Sequence, residues 1–462
     1  MKQNNTKKNI IYNTIYQIIK IIIPLIVAPY VSRILGASGV GKYSYYYSIA
    51  NYFLMFAVLG LANYGVREIA LCKTKEEKIK TFSEIYSMQV VTSLLILIVY
   101  TVIIIIFKNK FITIFVIYIF SGLFDLSWYF FGQNNFSKVI IPNIIIRIVT
   151  TIFIFLTIKS KNDLYIYCIY MCINYIIPNI LVWIIGIKDY KINYIKNIST
   201  IIKHFKNNLT LFIPIIAISI YKTMDKIMLG ILTNYINVGL YENSEKIISV
   251  PMGFISALGY VMIPKVASNI AKNKLSENYI SKSMEYVAFL IVPTIFGVFA
   301  ISKYFIPIFY GDEFYKSIKI LNVLIISTLF LGWANIIRTQ ILIPYKMDKI
   351  YINSVIIGAI VNLILNLILI KKLESIGVSI ATVIAEMTVC IYQTIKVKNI
   401  IDIRKNIRTI GKAIIPSIIM YLSVQFIDFN NNYQNLIIKF AICVIVYIVC
   451  YFIINKKNEK GV

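Results

Sequence analysis

Charged side chains inside long apolar stretches are the residues of this 462-residue sequence best suited to chemistry. A charge at the centre of a bilayer-spanning helix costs about 2.5–3.5 kcal/mol on insertion scales, so it usually faces water or a partner. Basic residues outnumber acidic ones in these stretches, and a cationic interior favours an anionic substrate. Pyrophosphate fits, because arginine binds it through two parallel hydrogen bonds and lysine binds it as a point charge. The predicted substrate-binding residues are Arg33, Arg67, Arg147, Lys222, Lys265 and Arg338.

Three acidic residues, Asp125, Asp225 and Glu386, also lie within the apolar stretches. They are candidates for coupling transport to Na⁺ or H⁺, because an intramembrane carboxylate usually has a function. Lys222 and Asp225 are three residues apart, a spacing that lets them pair on one helix face. Structural pairing with a neighbouring lysine is the alternative for the acidic residues. For basic residues near the ends of the stretches, the alternative is extension to lipid headgroups.

Cysteine and histidine are too sparse and too scattered for a metal site. The six cysteines include no CxxC pair, and His204 is the only histidine. Zinc sites usually need four Cys or His ligands at close spacing. We therefore expect no metal and no cofactor.

The elements that must position these charges are membrane helices. Hydrophobic residues make up 59% of the sequence and charged residues 15%, with a mean hydropathy of +0.76. Soluble domains have about 45–50% apolar and about 25% charged residues, so the composition excludes cytosolic enzymes, secreted disulfide scaffolds and disordered chains. Apolar runs of about 20 residues predict an all-α polytopic membrane protein with about 14 transmembrane helices.

The net charge of +27 would suggest a nucleic-acid partner in a soluble protein. Here the lysines and arginines lie mostly between apolar runs, where positive charge holds loops in the cytoplasm, and we expect no nucleic acid. With the N-terminus inside, the inner segments hold about 28 Lys and Arg and the outer loops about 9. This asymmetry predicts a multi-pass protein of the inner (cytoplasmic) membrane with both termini cytoplasmic.

Short motifs recur in the same order in the two halves of the sequence. Arg33-Ile-Leu-Gly36 precedes Val40-Gly41, and Lys226-Ile-Met-Leu-Gly230 precedes Val238-Gly239. Six spans per repeat is an even number, so both copies enter the membrane in the same direction. The repeat predicts two parallel six-helix lobes around a central cavity, plus a C-terminal helix pair. The predicted domains are an N-terminal lobe over 1–187, a cytoplasmic linker over 188–206, a C-terminal lobe over 207–395, and a connector with helices 13 and 14 over 396–462.

The linker interleaves lysines with isoleucines, a pattern typical of a basic amphipathic helix on a membrane surface. A solvated basic loop is the alternative. A second local pattern, Gly36 to Lys42, fits the phosphate-loop pattern GxxxxGK, but Tyr43 stands where a Mg²⁺-holding Ser or Thr is required. We interpret these glycines as a tight turn between two helices.

Two segments carry a resemblance to a known family. Residues 32–44 read SRILGASGVGKYS, and residues 63–70 read NYGVREIA. These segments resemble the oligosaccharide (O-antigen and capsule repeat-unit) flippase family of the multidrug/oligosaccharidyl-lipid/polysaccharide exporter superfamily. Arg33 and Arg67 match basic positions of the family's motifs.

The resemblance implies two lobes of six helices, a V-shaped cationic cavity and an appended helix pair. It implies translocation of an undecaprenyl-pyrophosphate-linked oligosaccharide from the inner to the outer leaflet. Such transport needs no covalent chemistry, so we expect no catalytic residues and no enzyme activity. The expected partners are the lipid-linked oligosaccharide and membrane lipids, with a polysaccharide polymerase and glycosyltransferases as further candidates.

Three alternatives remain open. A peptidoglycan lipid-precursor flippase shares the span count and the cationic cavity. A multidrug exporter of the same superfamily would favour an acidic cavity, for which the three intramembrane carboxylates are few. A membrane polymerase or ligase for lipid-linked sugars would carry a large outer loop, whereas the predicted outer loops are short.

Overall fold

The structure, a computed structural model, describes residues 2–189, 198–271 and 277–459. Within these ranges nearly every residue is helical and no strand occurs, which confirms the predicted all-α fold. The first helices are α1 (Lys2–Val58), α2 (Leu61–Leu71), α3 (Lys75–Phe107), α4 (Lys110–Ile114), α5 (Val116–Phe120), α6 (Ser127–Gly132), α7 (Ser137–Thr157) and α8 (Leu164–Asp189). They are followed by α9 (Ile198–Leu232), α10 (Tyr235–Ala271), α11 (Glu277–Tyr310), α12 (Ser317–Leu324), α13 (Ser327–Ile337), α14 (Asp348–Lys396), α15 (Ile403–Gln425) and α16 (Asn432–Glu459).

Ten helical stretches in the described ranges are long and apolar enough to cross a membrane. Two of them, Ile15–Leu71 and Asp348–Lys396, are 57 and 49 residues long, and each contains a break. Counting these two as two spans each, and adding α9 and α10 with 35 and 37 residues, gives the fourteen predicted spans. The chain is therefore a multi-pass membrane protein.

The two breaks have different residues at the bend. Gly36 interrupts α1 with φ 68° and ψ 176°, a left-handed conformation that glycine adopts without steric cost, as the tight-turn interpretation requires. Glu374 interrupts α14 with φ 49° and ψ −129°, where a Cβ atom is strained.

The chain divides into two compact units, unit 1 (Met1–Ser219) and unit 2 (Ile220–Val462). The division falls within α9. Of the predicted linker 188–206, residues 190–197 lie outside the described residues, and residues 198–206 form the start of α9.

Unit 1 has an aromatic core around Trp128, whose ring is buried. The Trp128 indole donates to Gln89 Oε1 at 2.9 Å, and Gln89 Nε2 donates to the carbonyls of Gly122 at 2.7 Å and Asp125 at 2.9 Å. These bonds hold α3 against the turn that carries Asp125. Gly65 lets α2 approach α6 closely, because a Cβ at this position would lie 2.5 Å from the Trp128 ring.

Unit 2 holds the C-terminal helix pair against α11. Tyr447 donates to the carbonyl of Phe289 at 3.0 Å, within an apolar cluster shared by α11, α15 and α16. At one end of the pair, buried Lys439 lies 3.3 Å from the hydroxyl of Tyr304, which donates to Asp428 at 2.7 Å. Both apolar and polar contacts thus join the helix pair to α11 within unit 2.

Candidate substrate and ion sites

Arg147 on α7 stands beside a second cation in unit 1. Its charge acts on the hydroxyl of Tyr16 on α1 and on Lys20, one turn after Tyr16. Lys20 is exposed and Arg147 is half-buried, with a buried Nε that has no hydrogen-bond partner in the structure. Neither cation has a carboxylate within salt-bridge distance among the described residues. An uncompensated pair of cations in apolar helices is a favourable place for an anion.

Asp125 lies near this pair but has a local role. Its carboxylate accepts from the backbone N–H of Ser127 at 2.9 Å, at the start of α6. The Asp125 charge also acts on the Tyr16 hydroxyl. The structure therefore brings Asp125 into the surroundings of Lys20 and Arg147, although it forms no ion pair with either.

Arg33 and Arg67 lie in different surroundings from Arg147. Arg33 is exposed on α1, three residues before the break at Gly36. Arg67 on α2 contacts the adjacent Glu68 at 3.1 Å with a side chain that is 55% exposed, and its guanidinium lies 5.8 Å from the centre of the Tyr64 ring.

Arg338 in unit 2 begins a π-helical turn, Arg338–Leu342, directly after α13. Such turns are rare and occur frequently at functional sites. Its buried Nε has no hydrogen-bond partner among the described residues, and its guanidinium lies 5.9 Å from the centre of the Tyr351 ring. Arg338 thus has an unused donor. The remaining two predicted cations, Lys222 on α9 and Lys265 on α10, have side chains outside the described residues.

Asp225 on α9 is the most completely coordinated carboxylate described in unit 2, and it is 1% exposed. Asn366 on α14 donates its Nδ2 to Oδ1 at 2.6 Å. The hydroxyls of Tyr241 on α10 and Thr382 on α14 lie 3.0 Å and 2.9 Å from Oδ2. Three helices therefore meet at one carboxylate, and all three contacts come from neutral groups.

Oxygen atoms predominate around Asp225. Besides the carboxylate and the two hydroxyls, Asn366 presents an Oδ1 that is buried and has no partner in the structure. The carbonyl of Val378 lies 3.0 Å from the Thr382 hydroxyl. Hard cations prefer such oxygen ligands. Among the described residues, no group of three or more His, Cys, Asp or Glu side chains is arranged to hold a metal ion.

Glu386 is buried on α14, one helical turn after Thr382 and therefore on the same helix face. Thr382 contacts Asp225, so Asp225 and Glu386 belong to one side of the second half of α14.

A cluster of half-buried charges near Asp225 was missed by the sequence analysis. Lys226 Nζ lies 2.6 Å from Glu242 Oε2 and 2.7 Å from Glu245 Oε2, and Lys246 Nζ lies 3.3 Å from Glu242 Oε1. Two cations and two carboxylates balance each other, so Lys226 is neutralised within the protein. The spacing of Glu242, Glu245 and Lys246, on one face of an apolar helix, is the signal that reveals it.

Comparisons with known proteins agree with this architecture. A family model described as "Polysaccharide biosynthesis protein" matches residues 6–269. The "Probable low-salt glycan biosynthesis flippase Agl15" of Haloferax volcanii is 26% identical over 237 residues, which cover 49% of this chain and 50% of that protein. The match thus spans about half the length of that relative. The "Putative O-antigen transporter" of Escherichia coli (strain K12) is 20% identical over 407 residues, covering 85% of this chain and 97% of that protein.

A solved structure, "Lipid II flippase MurJ, inward closed conformation", has a TM-score of 0.79 at 19% sequence identity. It covers 98% of this chain and 99% of its own. This likeness shows the fold, and the family model shows the lineage because it matches more than half of the sequence. Together they confirm the resemblance found in the sequence: the chain belongs to the polysaccharide biosynthesis protein family and adopts the helical fold of that MurJ structure.

Proposed function

We propose that this protein is a flippase for undecaprenyl-pyrophosphate-linked oligosaccharide repeat units. It moves them from the inner to the outer leaflet of the cytoplasmic membrane by alternating access, for surface polysaccharide biosynthesis, with both termini cytoplasmic. Family membership supports transport of a lipid-linked glycan, and the names of Agl15 and of the Escherichia coli relative agree with it.

The observation that carries the proposal is the proximity of Lys20 on α1 to Arg147 on α7, two helices that pack against each other. Both stand in apolar helices without a carboxylate within salt-bridge distance among the described residues, and Arg147 has an unsatisfied Nε donor. Two neighbouring cations repel each other, and a bound pyrophosphate removes the repulsion while accepting hydrogen bonds from both.

The test is transport in proteoliposomes of a fluorescent undecaprenyl-pyrophosphate-linked oligosaccharide. Arg147→Gln removes the charge and the two-pronged donor, and charge-assisted hydrogen bonds contribute about 1.5–3 kcal/mol each, so the transport efficiency falls about tenfold or more. Lys20→Gln is expected to act in the same direction. Lys110→Gln, which removes an exposed lysine elsewhere in unit 1, is the matched control and retains wild-type transport.

Arg338→Gln tests the contribution of unit 2 separately. Failure of the wild-type protein to transport the lipid-linked sugar contradicts the proposed function. Wild-type transport by the Arg147→Gln and Lys20→Gln variants contradicts only the assignment of the pyrophosphate site.

We further propose that Asp225 couples transport to Na⁺ or H⁺. Its buried carboxylate, the Thr382 hydroxyl and the Asn366 Oδ1 atom supply the oxygen ligands that Na⁺ requires. Asp225→Asn keeps the size of the side chain, since its oxygen can face Asn366 Nδ2 and its amide can donate to a hydroxyl. The variant is therefore expected to fold and to transport without stimulation by either cation gradient.

Comparing imposed Na⁺ and pH gradients identifies the coupled cation, and Glu386→Gln in the same assay tests the third carboxylate. Stimulation that persists in Asp225→Asn contradicts the assignment. A wild-type protein that responds to neither gradient excludes coupling to Na⁺ and to H⁺.

The second candidate is a peptidoglycan lipid-precursor flippase, which the fold match to the MurJ structure favours. Both substrates carry a polyprenyl pyrophosphate, so the cation pair suits either one. Competition decides between them: an excess of unlabelled repeat-unit lipid inhibits transport of the labelled oligosaccharide lipid more strongly than peptidoglycan precursor does. The reverse order supports the second candidate.

A further inference from the structure

We propose that His204, the only histidine of the chain, is a positioning residue for Arg67 and acts through Tyr64. The proposal rests on the proposed function, since the sequence predicts that Arg67 is one of the cations that bind the transported substrate. Tyr64 and Arg67 lie one turn apart on α2, and His204 lies near the start of α9. All three residues belong to unit 1.

The imidazole joins three helices through two hydrogen bonds. His204 Nδ1 lies 2.7 Å from the Tyr64 hydroxyl on α2, and His204 Nε2 lies 3.1 Å from Glu84 Oε2 on α3. His204 is 8% exposed and Tyr64 is buried, so water has little access to these bonds. The Glu84 carboxylate only accepts, so Nε2 donates to it; in the neutral imidazole Nδ1 then accepts the Tyr64 hydroxyl hydrogen.

The Tyr64 ring, which His204 holds in place, in turn contacts Arg67. The guanidinium carbon of Arg67 lies 5.8 Å from the centre of the Tyr64 ring, within the range of a cation–π contact. The other contact described for Arg67 is with its sequence neighbour Glu68, and an exposed pair of this kind orients a side chain weakly. The buried ring of Tyr64 is therefore the fixed group against which the Arg67 guanidinium lies.

Tyr64 is held on one side by the packing of α2 and on the other by the hydrogen bond of its hydroxyl. The next residue, Gly65, lies so close to the Trp128 ring that a Cβ atom would meet it at 2.5 Å, so α2 is already fixed on that side. Loss of the imidazole removes the hydrogen bond from α9 to the Tyr64 hydroxyl, and the ring under Arg67 can then shift.

Kinetics in proteoliposomes test the proposal, with fluorescent undecaprenyl-pyrophosphate oligosaccharide as the probe. His204→Phe keeps a planar ring but removes both hydrogen bonds, so KM rises about five- to tenfold, as expected for one lost positioning bond, while the maximal rate changes little. His204→Gln has one donor and one acceptor in its amide and is expected to restore KM to within about twofold of wild type. Tyr64→Phe, which deletes only the hydroxyl, is expected to match His204→Phe and replaces it if that variant does not fold.

A double-mutant cycle separates positioning from general structural support. In an Arg67→Ala background, His204→Phe is expected to raise KM no further, because its effect passes through Arg67. Tyr100→Phe, which removes a buried hydroxyl bonded to the Ile112 carbonyl at 2.8 Å, is the control. It is expected to change KM by the same factor in the wild-type and Arg67→Ala backgrounds. Equal effects of His204→Phe in the two backgrounds, or a wild-type KM in Tyr64→Phe, overturn the inference. Absence of transport by the wild-type protein overturns the proposed function instead.

Discussion

Lys226 offers the sharpest test of how unit 2 balances its buried charges. Its ammonium contacts Glu242 at 2.6 Å and Glu245 at 2.7 Å, and the side chains of Lys226 and Glu242 are 16% and 13% exposed. Lys246 contributes the second positive charge at 3.3 Å from Glu242. The substitution Lys226→Met therefore removes the ammonium that Glu242 and Glu245 share.

The magnitude follows from the burial of the pair. Removing one partner of a buried ion pair destabilises a protein by about 3–5 kcal/mol, because the other charge stays buried without compensation. Glu245 is 35% exposed and is partly screened by solvent, so the expected loss lies at the lower end, about 3 kcal/mol. Glu245→Gln in the Lys226→Met background restores one carboxylate to one lysine and is expected to recover a substantial part of that loss.

Thermal unfolding of the purified protein in one detergent, followed by tryptophan fluorescence, measures these changes. Lys319→Met, which removes an exposed lysine of α12, is the matched control and leaves the midpoint unchanged. The reasoning is refuted if Lys226→Met unfolds at the wild-type temperature. It is also refuted if Glu245→Gln lowers the midpoint of Lys226→Met further.

Two other predictions concern stability. Glu374 has a left-handed φ of 49°, and such strain costs about 1–3 kcal/mol. Glu374→Gly is therefore expected to raise the unfolding midpoint. Lys372→Gly, in the adjacent helical turn, is the control and is expected to lower the midpoint or leave it unchanged. The hydroxyl of Tyr304, which donates to Asp428 at 2.7 Å, holds the pKa of that carboxyl below its ordinary value of 3.8. The stability from a lowered pKa is complete above the ordinary value and is lost as the pH falls through the folded-state pKa. Acidification below about pH 4 therefore lowers the unfolding midpoint of the wild-type protein more than that of Asp428→Asn, and equal slopes contradict this.

Much of the fold follows from the sequence, because membrane insertion dictates it. An apolar run of about 20 residues must form a helix to satisfy its backbone hydrogen bonds in lipid, so the spans can be predicted without knowledge of their neighbours. Gly36 follows equally directly, because only glycine readily adopts the conformation found at the break in α1. The break at Glu374 has no such signal, since a non-glycine residue stands in a strained conformation there.

The candidate sites depend on which helices pack together, and hydropathy does not encode this. Asn366 and Thr382 contact Asp225 from 141 and 157 residues away. The sequence predicts that Asp225 needs a partner, and local spacing suggests Lys222, but the described contacts come from neutral side chains on α10 and α14. The proximity of Lys20 to Arg147 likewise depends on the packing of α1 beside α7.

The central claim is that the cations of unit 1 bind a pyrophosphate headgroup, and equilibrium binding tests it most directly. Purified protein is titrated with a short-chain polyprenyl pyrophosphate, the matching monophosphate and the matching alcohol. We predict that the wild-type protein binds the pyrophosphate most tightly and the alcohol more weakly, and that this preference is lost in Arg147→Gln but not in Lys110→Gln. Equal affinity of the wild-type protein for the pyrophosphate and the alcohol would contradict it.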